Sequence, residues 1–336
     1  MELTPKEKKI LHAALLNANK TGESIGSSID EEGHQVRRTL SALQSKGIAY
    51  PYTLINQFAL GGMKVGVFFS FLDLPPSEIK KTAQKLATYS KIVSLIELFG
   101  PYQYFMSVNV NEIAEFEAFM TELSENVPAF RIKESVSIRN SMTLFKRKYL
   151  NPGKADKTHL TYSYAAKKAD LKDNDIAVLN CIIEKGGVPS AQEISRATGI
   201  WPNGVLDILK DLEKNNIIVG YSYSLDPAKI DYKSYDLLIK TTTRQKTFKK
   251  QLFDFCASHP CVVGLTESIG EWQYEIRIEI ENLAQATELA QAIQSKFKEE
   301  INKIEISAIC NEIKYMKTPL IKTSAEPQPP KKKKAA

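Results

Sequence analysis

The chain has 336 residues, 43% hydrophobic and 25% charged, a balance that excludes wholesale disorder and leaves room for two or three folded domains. No run nears the roughly 18 apolar residues of a membrane helix, and the start, MELTPKEKKI, lacks the apolar stretch of a secretory leader; a cytoplasmic, nucleoid-associated protein is expected. The net charge of +6 is uneven: residues 146–169 and 314–336 each carry seven basic residues against one acidic one, so everything else together is acidic, at −6.

In chain order, Ile10, Leu11, Ala14 and Leu15 fall at helical spacing, and residues 24–29 follow as a second short helix. Val36, Leu40 and Leu43 then define a third, ended by Gly47. Three short helices with a tight break before the third, followed by an extended stretch, are the pattern of a winged helix-turn-helix. The period then changes. A strand is expected over 65–71, a helix over 76–88, strands over 92–99 and 102–110 about Gly100-Pro101, a helix over 112–124 and a strand over 132–138. That order is βαββαβ, a ferredoxin-like unit with one sheet face under its helices and one open.

The chain then repeats itself. LTPKEKKIL from Leu3 matches LKDNDIAVL from Leu171, Ile25, Val36 and Leu43 match Ile194, Val205 and Leu212 at an offset of 169, and GPYQY from Gly100 matches GEWQY from Gly270 at 170. The second βαββαβ unit is expected over 235–242, 248–257, 262–269, 272–280, 283–297 and 304–313. The expected fold is α+β, in two copies. It divides into a winged helix-turn-helix (1–54), a βαββαβ effector domain (55–146), a basic linker (147–169), a second winged helix-turn-helix (170–224), a second effector domain (225–318) and a disordered lysine-rich tail (319–336).

With LEKNNIIVGYSYSLDP from Leu212 and HPCVVGLTESIGEWQYEIRI from His259, the chain resembles the Lrp/AsnC (feast/famine) transcription regulators, in tandem duplicated form. The resemblance implies a DNA-binding regulator built as an intramolecular pseudo-dimer that assembles further. It also implies a small effector, such as an amino acid or related metabolite, held near the Gly-x-aromatic turn between effector domains. In this chain the turn residues are Gly100, Tyr102 and Gln103, and Gly270, Trp272 and Gln273, with glutamine where the family has aspartate. Glutamine cannot neutralise an α-ammonium group but can still donate and accept hydrogen bonds.

On the third helix, inward Val36, Leu40 and Leu43 leave His34, Gln35, Arg37, Arg38 and Ser41 for double-stranded DNA. In the second copy Asn203 and Lys210 are the corresponding candidates, on a module that nets −3 between residues 170 and 221. Glu31 and Glu32 stand where the family opens this helix with Leu-Ser, and their charge opposes phosphate. This feature favours the alternative, a ligand-sensing or scaffolding protein with vestigial helix-turn-helix modules. A branch of the same fold comprises sirohaem decarboxylase subunits, and that resemblance implies histidine and arginine on the strands beside the turn. Residues 92–99 and 262–269 contain neither, so no enzymatic activity and no catalytic residue are expected. The four cysteines are too scattered for a disulfide framework or a Cys-x-x-Cys site, and no two of the four histidines are four residues apart; neither metal nor cofactor is expected.

Overall fold

The computed structural model describes residues 2–127, 130, 132–153, 156–164, 169–315 and 321. The chain opens with three helices, α1 (Pro5–Ala14), α2 (Gly22–Ser27) and α3 (Gly33–Ser45), and a strand, β1 (Ala49–Ile55). Thr4 and Glu7 close a capping box that starts α1, and Thr21 caps α2. Ile10, Leu11, Ile25, Val36 and Leu43 meet in one buried cluster, so helical spacing translates directly into a core.

Next come β2 (Met63–Phe71), α4 (Pro76–Leu86), β3 (Ile92–Phe99), β4 (Tyr104–Val110), α5 (Ile113–Asn126) and β5 (Ile132–Phe145). A 3-10 turn (Lys148–Leu150) and β6 (His159–Ser163) lead to α6 (Asp173–Lys185), α7 (Ala191–Thr198), α8 (Pro202–Lys214) and β7 (Ile218–Leu225). The chain continues through β8 (Lys233–Thr241), α9 (Lys246–Ser258), β9 (Val262–Gly270), β10 (Tyr274–Ile280), α10 (Leu283–Lys296) and β11 (Ile301–Tyr315).

Strands β5 and β11 run well past their expected ends because each serves two sheets. The first half of β5 pairs with β2 (Val65 opposite Ile138) and the second with β9 (Thr143 opposite Leu265), with a register shift between Arg139 and Ser141. Strand β11 pairs first with β8 (Ser307 opposite Asp236) and then with β3 (Tyr315 opposite Ser94). The order β2-β4-β3-β11-β8-β10-β9-β5 therefore returns to β2 and closes a ring of eight strands. Helices α4 and α5 cover one arc of its outer surface and α9 and α10 the other, each over its own apolar cluster. Neither inner sheet face stays open, because each covers the other. An eight-stranded ring has an interior wide enough to be filled by side chains or to hold one small ligand.

Strands β1 and β7, which follow the two three-helix units, pair with each other antiparallel, Tyr52 opposite Ser222. The buried Asn56 amide donates to the Ser163 and Asn216 carbonyls and ties this ribbon to β6 at the edge of the ring.

The basic linker is not a solvated connector. Lys146, Arg147 and Lys148 are all buried. Lys146 bonds Asp156 (3.0 Å), Arg147 bonds Glu279, and Lys148 lies over the Phe145 ring. Lys154, Lys167, Lys168 and the tail lysines lie outside the described residues. Among the described residues no helix is long and apolar enough to cross a membrane.

Candidate functional site: a polar chamber in the strand ring

Alternation along each strand sorts side chains between the helix-covered outside and the ring interior. On β10, Tyr274, Ile276, Ile278 and Ile280 join the α9/α10 core, so Glu275, Arg277 and Glu279 point inward. At one end the interior is apolar: Phe68, Ile96, Leu98, Phe105, Leu238 and Trp272 pack together, and the Trp272 indole N–H donates to the Tyr102 hydroxyl at 3.4 Å.

Above that plug the interior is charged. Arg139 donates to Glu275 at 2.7 Å, with side chains only 5% and 11% exposed, and its guanidinium lies 4.9 Å from the Phe105 ring. Arg277 forks onto Asp236 at 2.5 and 3.0 Å. Arg147 forks onto Glu279 at 2.7 and 2.8 Å, and the Tyr149 hydroxyl donates to the same carboxylate at 2.6 Å. Burial pushes the Asp236 carboxyl up to about 6 although Arg277 pulls it back, so the pair is ionised at neutral pH and protonates in mild acid.

Lys64, at the start of β2, has no ion pair among the described residues. Burial, and then the charge of Arg139, lower its ammonium to about 8. Three phenols share this region. Burial raises Tyr52, Tyr162 and Tyr315 above the ordinary tyrosine range, so each keeps its proton at neutral pH. Tyr315, at the end of β11, keeps 56% of its surface exposed. The buried hydroxyls of Ser107, Ser137, Ser268 and Ser307 have no protein hydrogen-bond partner among the described residues. Such orphans in a folded interior mark a place that water or a ligand completes. The ring interior thus holds one cation with no ion pair among the described residues, three protonated phenols nearby and several hydroxyls, beside three arginines already balanced by carboxylates.

The turn residues expected to hold an effector also make contacts within the fold. Gln103 Oε1 accepts from the Phe71 amide (3.1 Å), and Gln273 Oε1 accepts from the Thr241 amide (2.8 Å) while its Nε2 donates to the Gly270 carbonyl. Tyr102 and Trp272 are buried in the apolar plug. Gly100 (φ 147°) and Gly270 (φ 153°) sit against β11 and β5; a Cβ on them would lie 2.7 Å from the Ile306 oxygen and 2.4 Å from the Val136 oxygen.

On α3, His34, Arg37, Arg38 and Ser41 are exposed and Gln35 is half-buried. Arg37 is ion-paired with Glu23, whose carboxyl it holds below the usual range; Gln35 bonds Lys6 and Glu32, and His34 lies 3.2 Å from Glu32. On α8, Asn203 and Lys210 are exposed, Lys210 beside Asp207 at 3.6 Å, and Trp201 projects with 84% of its surface exposed.

The family model of winged helix-turn-helix DNA-binding domains matches residues 171–219, spanning α6 to the start of β7. No curated protein matches the sequence. Among solved structures, the siroheme decarboxylase NirDL aligns over 94% of both chains at 12% identity with a TM-score of 0.63. Its co-complex with an iron-uroporphyrin III analogue aligns over the same share at 0.61. An AsnC family transcriptional regulator from Agrobacterium tumefaciens aligns over 44% of this chain and 94% of its own, at 19% identity and a TM-score of 0.37.

The long alignment overturns the expectation of no enzymatic activity: the architecture running through this chain is one on which an enzyme is built. The expectation rested on the strands beside the turn, β3 and β9, which carry neither histidine nor arginine. The arginines instead enter from β5 and β10. Parity could have found Arg277, since YEIRIEI places every charged residue on one face. Nothing local marks Lys64, which is enclosed only when the ring closes.

Proposed function

We propose that this chain is an enzyme that binds a carboxylated organic ligand of the tetrapyrrole class in the ring chamber and removes a carboxyl group from it. The unpaired Lys64 carries the reading: a desolvated ammonium beside Arg139 is a strong point of attraction for a carboxylate. In this scheme the carbon–carbon bond breaks, carbon dioxide leaves, and the electron pair left on carbon takes the Lys64 proton, which solvent replaces. An acid that titrates near 8 is matched to proton transfer close to neutral pH. Tyr52, Tyr162 and Tyr315 keep their protons and orient other carboxylates of the ligand. The histidines sit elsewhere, His12 in the first three-helix core, His34 exposed on α3, His159 against Phe253 and His259 beside Cys261, so the acid is assigned to lysine. The test is absorbance titration with an iron-uroporphyrin III analogue, followed by mass analysis of the ligand for lost carboxyl groups. Binding that Lys64→Met leaves unchanged would refute the assignment.

A second reading, a DNA-binding regulator, is favoured by the family match at 171–219 and by the exposed outer face of α3. In it residues 1–54 and 170–224 act as paired winged helix-turn-helix modules within a pseudo-dimer, and His34, Gln35, Arg37, Arg38, Ser41, Asn203 and Lys210 meet the duplex. Selection from random duplex DNA at controlled salt decides it. A reproducible motif lost in an Arg37→Ala, Arg38→Ala double variant supports it, and sequence-blind, salt-sensitive retention rejects it.

A further inference from the structure

Away from the ring, a cavity of about 200 Å³ lies between the first three-helix unit and the segment leaving β5. Its polar wall consists of His12, Asn17, Lys20, Ser24, Ser28 and Lys146. Lys146, its side chain 9% exposed, gives one hydrogen bond to Asp156 Oδ2 (3.0 Å), and His12 Nε2 stands 4.0 Å from the same oxygen. The other oxygen of Asp156 accepts from the Thr158 amide at 2.9 Å. Against the cost of burial, the bonds from Thr158 and Lys146 hold this carboxyl well below the usual range, so it is ionised and fully engaged. Two lysines and a histidine thus surround a small polar space with one carboxylate already committed, and two serine hydroxyls complete the wall.

The second half of the chain supplies an internal control. Offsets of 168 for α1 and 169 for α2 put Asn180, Pro189, Glu193 and Ala197 at the positions of His12, Lys20, Ser24 and Ser28. Asn180 spends its amide on the backbone of Ile321, donating and accepting at 2.8 Å each, and Glu193 caps α7. The three-helix unit therefore folds without these basic and hydroxyl groups.

We propose that this cavity is a binding site for one small oxyanion, of the size of phosphate or acetate, held by Lys20, Lys146, Ser24 and His12. Such a ligand fits the volume and takes charge-assisted hydrogen bonds from groups the second copy has lost. The test is calorimetric titration of the full chain with inorganic phosphate and, separately, with acetate, at constant ionic strength near neutral pH. One site per chain is expected for at least one of the two. Lys20→Ala should weaken it about tenfold, and Ser24→Glu, which installs the second copy's carboxylate, should abolish it. Asp156→Asn keeps the acceptor for the Thr158 amide, removes the competing charge and should tighten binding. Melting curves of the unliganded variants confirm that each is folded, since Lys20 and Ser24 are exposed. Failure of both anions to bind the wild type, or binding unaltered by Ser24→Glu and Lys20→Ala together, overturns the proposal.

Discussion

Replacing Lys64 by methionine should make the unliganded protein more stable, and the gain should depend on pH. The ordinary lysine value is 10.5 and the folded value is about 8. Below pH 8 both folded and unfolded chains carry the charge, and keeping it inside the fold costs at most about 3.4 kcal/mol. Between pH 8 and 10.5 the folded form releases its proton while the unfolded form still holds one, so the unfolded state binds more protons and wild-type stability rises with pH. Above 10.5 the cost is gone. Methionine fills a similar volume and carries no charge, so Lys64→Met should gain roughly 1–3 kcal/mol at pH 7, relaxation absorbing part of the full cost. That advantage should shrink toward zero by pH 10.5. Urea unfolding followed by circular dichroism at pH 7 and near pH 10 measures it. A variant less stable than wild type at pH 7, or a gap equal at both pH values, would show that Lys64 is not held at a desolvation cost. A stability gain paired with lost ligand binding would mark a residue kept for function, not for folding.

Three other outcomes follow from the same geometry. Affinity for a carboxylated ligand should fall above about pH 8 as Lys64 loses its charge, by no more than tenfold per pH unit, and should rise below about pH 6 as Asp236 protonates and frees Arg277; competitive titration across pH 5–9.5 reads both limbs. Arg139→Met should cost about 3–5 kcal/mol by leaving Glu275 buried and unpaired, and adding Glu275→Gln should recover most of it, which calorimetric melting of the single and double variants will show. Gly270→Ala should cost about 3 kcal/mol or more, because its Cβ would stand 2.4 Å from the Val136 oxygen at a left-handed φ; a sharply lowered melting temperature is expected.

Local periodicity found most of the elements, though not β6, which falls in the segment expected as a linker. Helical spacing of Ile10, Leu11, Val36 and Leu43 and alternation in β2, β4 and β10 are short-range signals, and the core clusters use those same residues. Ring closure was not legible, since it rests on pairings such as Ser141 with Glu267 and Tyr315 with Ser94, far apart in sequence. The second half of β5, NSMTLF, lies beyond the strand expected over 132–138 because its pairing partners belong to the other half of the chain. The same blindness affected charge. Arg147 counts toward a basic connector in the sequence, yet in the fold it is a buried partner of Glu279. Lys64 and Arg139 look like surface charges on half-exposed strands until a second sheet covers them.

The arrangement of these charges differs between the two halves of the chain. At the offset of 170, Lys64, Gly66, Phe105, Ser107 and Arg139 correspond to Ser234, Asp236, Glu275, Arg277 and Ile309. Two identical subunits would place every one of these residues twice. Arg139 could then meet no Glu275 without a phenylalanine being lost from each half, and Asp236 would occupy both places where Gly66 now leaves room for the Arg139 guanidinium, whose Nε lies 2.7 Å from where a Cβ would stand. In this chain one half supplies the cation and the other the carboxylate of the Arg139–Glu275 pair, while Arg277 and Asp236 fill space on the second half's side alone. The uncompensated charge, Lys64, lies on the first half's side, opposite a serine-bearing strand. On the proposed function, a carboxylated ligand would meet its one uncompensated cation on the first half's side, which favours one orientation where a symmetric dimer would offer two.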